Sequence, residues 1–150
     1  MNRDFAEMLS ALSAEGAEFL VVGAYAMAAH GYPRATGDID LWVRPSPENA
    51  QRVLRALRTF GAPLFDLQAT DLLGSDTVFQ IGLPPNRIDI LTGITGVSFE
   101  DAWPSRVTSS IGGLEIPVLG MAQLLTNKRA TGRPKDQADL AWLESKTKPE

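Results

Sequence analysis

Three aspartates stand where aspartate is a poor strand former. Asp38 and Asp40 flank Ile39 and precede Leu41-Trp42-Val43, and Asp89 lies between Ile88 and Ile90. Aspartate is depleted in strand interiors, so both segments need an explanation beyond local propensity. A period of two puts Asp38 and Asp40 on one face about 7 Å apart and turns Ile39 and Leu41 to the other. Two like charges so placed repel unless a cation sits between them. Pairing the two strands would bring Asp89 to the same place and complete an all-oxygen set suited to a hard divalent cation. Magnesium takes one or two carboxylates together with water and substrate phosphates, so the chemistry implied is phosphoryl transfer. Asp-x-Asp alone is a short pattern, and a solvated strand face with unrelated acids also accounts for it.

The elements that would position these acids can be read from the flanking sequence. Phe5, Met8, Leu9 and Leu12 recur at helical spacing before Gly16. Phe19-Leu20-Val21-Val22 is a continuous branched apolar run, as in a central strand buried on both faces, and Gly23 closes it. Ala24 to His30 reads as a helix starting at that glycine, whose free N–H groups and dipole favour phosphate. Gly23 also has a plain structural use, since strand and helix often meet at a glycine for positive φ or close packing. Ser46-Pro47-Glu48 opens a further helix with Val53, Leu54, Leu57 and Phe60 on one side and Gly61 at its end. Residues 62–76 have no clear period. Two antiparallel strands over 78–83 and 87–91, two more near 106–111 and 114–119, and helices over 121–130 and 134–144 complete the chain.

The joint pattern resembles the DNA polymerase β-type nucleotidyltransferase superfamily. The residues that carry the resemblance are Val22-Gly23-Ala24, Asp38-Ile39-Asp40-Leu41 and Ile88-Asp89-Ile90, and the loop Arg34-Ala35-Thr36-Gly37 is similar to that of minimal bacterial members of the abortive-infection and toxin–antitoxin (AbiEii-like) kind. The resemblance implies a mixed α/β sheet of about five strands flanked by helices, with a polymerase β palm-like fold. It also implies Asp38, Asp40 and Asp89 as catalytic metal ligands for Mg²⁺ or Mn²⁺, two ions in all. Gly23, Ala24, Arg34, Thr36 and Lys128 would bind the nucleotide. The activity implied is transfer of NMP from NTP to a hydroxyl of an RNA, a partner protein or a small molecule, with release of pyrophosphate. One departure is Ala24, where the family usually has Gly or Ser, because alanine keeps the N–H but offers phosphate no hydroxyl. It supports the alternative of a catalytically weak binding or antitoxin module on the same fold.

Composition bounds the rest. The 150 residues carry 14 Lys+Arg, 18 Asp+Glu, one His and no cysteine, which excludes disulfides, thiolate metal sites and Cys nucleophiles. The longest apolar run, Phe19 to Ala29, is too short to span a bilayer, so no membrane partner and a cytoplasmic location are expected. One domain over 1–150 with a frayed tail from Lys146 is expected. Basic residues are in excess over 121–150 and acids elsewhere, which mildly favours an RNA or protein acceptor over a small molecule; a homodimer or a cognate toxin or antitoxin partner also fits. In that basic end Lys128 would meet the triphosphate, and Arg133 and Lys135 the acceptor. Asp136 and Asp139 are expected to pair with those bases rather than bind metal. His30 reads as structural, and Trp42, Trp103 and Trp142 share no spacing and read as packing residues.

Overall fold

Six strands form one mixed sheet in the computed structural model, which describes residues 2–32, 37–83 and 86–147. In chain order they are β1 (Phe19–Val22), β2 (Ile39–Val43), β3 (Val78–Ile81), β4 (Ile88–Leu91), β5 (Val107–Ile111) and β6 (Leu114–Val118). Their order across the sheet is β3-β4-β2-β1-β6-β5. Strand β2 runs antiparallel to β1 and parallel to β4, β1 is parallel to β6, and β3 and β5 close the edges as antiparallel hairpin partners. The count exceeds the expected five by one because both predicted hairpins join the same sheet. All four residues of β1 are buried, as a central strand between two neighbours requires.

Helix α1 (Arg3–Ala14) is capped by Asn2, whose side chain accepts from the Asp4 and Phe5 amides, and it buries Phe5, Met8, Leu9 and Leu12. That spacing is the apolar stripe read from the sequence. Helix α2 (Gly23–Ala29) follows β1 directly, and α3 (Pro47–Phe60) begins at the Ser46 cap and ends at Gly61 in the left-handed conformation. Helix α3 buries Val53, Leu54 and Leu57 against α1 and the sheet. Asn49 on α3 is buried for a different reason. Its amide accepts from Glu18 N at 2.7 Å and donates to Glu18 O at 2.9 Å and Arg44 O at 3.0 Å, locking the start of β1 to the end of β2.

Residues 94–105 contain an isolated bridge between Ile94 and Val97, the short helix α4 (Phe99–Ala102) and a 3-10 turn over Trp103–Ser105. Phe99 meets the buried Trp42 edge-on at 5.1 Å and stacks on Trp103 at 5.5 Å. The Arg44 guanidinium sits 4.7 Å above the Phe99 ring and pairs with Glu18 and Glu100. Packing of one aromatic onto another thus fixes this segment. The chain closes with α5 (Met121–Thr131), left-handed Gly132, a 3-10 turn over Pro134–Asp136 and α6 (Gln137–Thr147). Helix α6 takes in Lys146 and Thr147, which the sequence assigned to a frayed tail, and Thr147 Oγ1 bonds Leu143 O at 3.0 Å. Among the described residues no helix is long and apolar enough to cross a membrane.

Candidate active site

The parallel pairing of β2 with β4 sets Asp40 directly opposite Asp89. Adjacent strands lie about 4.8 Å apart, so the two carboxyls are neighbours on one face. Asp38 stands one residue before β2 rather than within it, where its Oδ1 accepts the Arg87 amide at 2.9 Å and the next amide, of Ile39, bonds Arg87 O at 3.0 Å. All three acids therefore meet near the N-terminal ends of two parallel strands. Asp89 is buried and Asp40 half-buried. Burial, then the charge of Asp89, its hydrogen bond with Asp40 and the charge of Asp38, push the Asp40 carboxyl up from 3.8 to about 6, against an opposing pull from Arg87. Burial and the neighbouring acids together thus oppose ionisation of Asp40.

Gly23 closes this cluster from β1. Val22 is the register partner of Asp40, and the next residue turns the chain out of the strand with φ at 69°. A Cβ at Gly23 would lie 2.4 Å from Asp40 Oδ2. Both plain reasons for a glycine apply, and the close approach ties it to an acid of the site. Helix α2 starts at Gly23 without a side-chain cap, so its first-turn N–H groups receive none of the hydroxyl or carboxylate capping that Ser46 gives α3.

Arg87 was not singled out in the sequence, although its place two residues before Asp89 puts both side chains on one strand face. Its Nε and Nη2 donate to the two Asp89 oxygens at 2.7 and 3.1 Å, a bidentate pair, and Nη2 lies 3.7 Å from Asp38 Oδ2. Among the described residues no group of three or more His, Cys, Asp or Glu side chains stands ready as a metal-holding set. Among the described residues, the cation lying among these acids is the Arg87 guanidinium. Donor chemistry nevertheless fits a hard divalent ion: the three acids supply the carboxylate oxygens that such an ion takes.

The basic end is organised otherwise than its composition suggested. Lys128 is buried, with Nζ 3.0 Å from Asp136 Oδ1 and 3.2 Å from Asp139 Oδ2. Asp136 also accepts from Arg133 Nε at 2.6 Å and Thr131 Oγ1 at 3.2 Å. Lys128 is thus a neutralised core cation, not an exposed one, because a long side chain that is desolvated must find carboxylates. It still lines a cleft of about 230 Å³ together with Gly23, Asp40, Asn127, Thr131 and Arg133. Two ion pairs leave an ammonium with a third donor. Lys135 is exposed. Arg34 and Thr36 lie outside the described residues. His30 Nε2 is 2.8 Å from Leu119 O, a structural tie between α2 and the end of β6, and the three tryptophans pack against Phe99 or Tyr32.

A mixed sheet with an acid-bearing parallel pair beside a strand–glycine–helix turn is the nucleotidyltransferase fold, and comparison with solved structures agrees. A candidate nucleotidyltransferase of Thermotoga maritima, TM1012, superposes with a TM-score of 0.63 at 18% identity over 95% of this chain and 92% of its own. The lincosamide antibiotic adenylyltransferase LnuA, with lincomycin bound, superposes with a TM-score of 0.60 at 11% identity over 97% of each chain. At such identities the likeness is one of fold. No protein-family model and no curated protein matches the sequence.

Proposed function

We propose that this protein is a metal-dependent nucleotidyltransferase that moves a nucleoside monophosphate from an NTP to a hydroxyl and releases pyrophosphate. The observation that carries the reading is the meeting of Asp38, Asp40 and Asp89 across β2 and β4 beside the Gly23 turn. A bound divalent ion, or a pair, would supply charge neutralisation for the triphosphate and the leaving pyrophosphate, held by these carboxylates. The chain's own residues do the rest. The uncapped amides at Gly23 and Ala24 face phosphate without a serine hydroxyl, and Lys128 and Arg133 line the same cleft. Arg34 and Thr36 are assigned to the phosphates by sequence pattern. Asp89 would help bind the metal on the hydroxyl side or take the proton of the acceptor hydroxyl.

For the acceptor, the pairing of Lys128 and Arg133 with acids removes much of the electrostatic argument for RNA or protein. A small hydroxylated compound becomes an equal reading, and LnuA, an adenylyltransferase of lincosamides, is a neighbour in fold. A role in a toxin–antitoxin or phage-defence pair rests on the family resemblance alone. The test is incubation with each labelled NTP and Mg²⁺ or Mn²⁺ in the presence of RNA, lysate protein or hydroxylated small molecules. Transfer of label with pyrophosphate release, abolished by Asp40→Asn, is expected. Nucleotide binding without transfer to any acceptor would favour the non-catalytic module that Ala24 suggests.

A further inference from the structure

Arg87 occupies the centre of the acid site, and nothing in the mechanism above uses it. Its backbone is fixed on both sides, the amide on Asp38 Oδ1 and the carbonyl on the Ile39 amide. Its side chain is 26% exposed, so the guanidinium can leave the carboxylates without disturbing the core. While in place it holds both oxygens of Asp89 and lies 3.7 Å from Asp38 Oδ2. A divalent ion needs those same oxygens at about 2.0–2.1 Å. Two cations cannot share them at that range without strong repulsion in a partly buried site.

We propose that Arg87 is a resident counter-ion that a divalent metal must displace, so that it sets the metal concentration at which the site fills. This rests on the reading that the three acids hold a metal. In the metal-free protein the guanidinium leaves one net charge fewer for the fold to tolerate. On loading, it swings out toward solvent, and the backbone bonds keep Asp38 and β4 in register while it moves. A lysine at this position keeps the charge but loses the bidentate grip, so it should hold the acids less tightly.

Mn²⁺ binding without nucleotide, followed by electron paramagnetic resonance, tests this in wild type, Arg87→Gln, Arg87→Lys and Asp40→Asn. Arg87→Gln should bind Mn²⁺ at least about ten-fold more tightly than wild type, with Arg87→Lys between them. The metal-free melting temperature of Arg87→Gln should fall and be restored by Mn²⁺. In the wild type, the Arg87 Nε–H resonance, identified by its loss in Arg87→Lys, should shift on saturation with Mg²⁺ as its bond to Asp89 breaks; this readout holds even if the glutamine variant folds poorly. Unchanged or weaker Mn²⁺ binding by a folded Arg87→Gln, or an Nε–H signal indifferent to Mg²⁺, overturns the inference. If wild type nonetheless binds Mn²⁺ and Asp40→Asn does not, the metal-site reading survives that failure. If no variant binds Mn²⁺ at all, both fall.

Discussion

Two ionic clusters lie on either side of one cleft, and they are built on opposite accounts of charge. Under α5 and α6, Lys128 and Arg133 meet Asp136 and Asp139, two cations for two acids, and three of the four residues are buried. Between β2 and β4, three acids meet the guanidinium of Arg87 among the described residues, with Asp40 only half-buried. The balanced cluster satisfies itself and ties a helical end together. The other gathers carboxylates whose repulsion a cationic ligand would relieve. The pKa shifts follow the same division. Burial raises the Asp136 carboxyl, but the hydrogen bonds and charges of Lys128 and Arg133 outweigh it and hold the group below its ordinary value, whereas Asp40 is pushed up to about 6.

The sharpest way to break the contrast is Asp40→Asn. Transfer activity should fall by about 10³-fold, as for loss of one group that stabilises charge in the transition state, while the metal-free melting temperature stays level or rises. Initial rates and thermal melts check both halves, and a variant that unfolds would make Asp40 structural. Lys128→Met should do the reverse. It removes the buried cation that Asp136 and Asp139 share, at a cost of about 3–5 kcal/mol in urea denaturation. Any loss of activity should then track the loss of folded protein, unless the third ammonium donor serves the nucleotide, in which case the KM for NTP rises in the fraction still folded.

Gly23→Ala attacks the boundary between the clusters. The positive φ costs about 1 kcal/mol, and the new methyl must push the Asp40 carboxylate away. Activity should drop more than ten-fold, a much larger effect than the change in stability. The pH dependence of stability separates the clusters by sign. Between 3.8 and about 6 the folded protein holds a proton on Asp40 that the unfolded chain has released, so this group makes stability fall as pH rises through that window. Asp136 acts oppositely: its contribution is present above the unfolded carboxylate value of about 3.9 and is lost as pH falls through its lower folded value. Urea titrations of Asp40→Asn should therefore lack the decline up to pH 6. The smallest effect belongs to Lys135→Ala, which should leave stability within about 0.5 kcal/mol and lower the salt slope of a polyanionic acceptor by about one if it touches one.

How far these properties were legible in the chain depends on their range. Local rules placed α1, β1, β2 and α3 with their caps, because apolar period, the Ser46-Pro47 start and the Gly61 stop act within a few residues. They also marked Asp38, Asp40 and Asp89 as acids out of place in strands. They say nothing of 94–105, where the short α4 and its turn are held by Phe99 meeting Trp42 and Trp103 stacking on Phe99. They anticipated that Asp136 and Asp139 would pair with the bases of this end, but not that the pairing would bury Lys128, since burial is decided by how α5 and α6 pack.

The sequence by itself determined which residue types were available for phosphoryl chemistry and that Asp40 and Asp89 sat at strand positions. The tertiary structure alone decided that Asp40 lies opposite Asp89, that Gly23 touches Asp40, and that Arg87 rather than Lys128 is the cation at the acids. Side-chain alternation is set by the backbone of a single strand, so it can be read locally. Register between parallel strands is set by the long crossover joining them, and the partner of a long charged side chain by which opposite charge is buried within its reach.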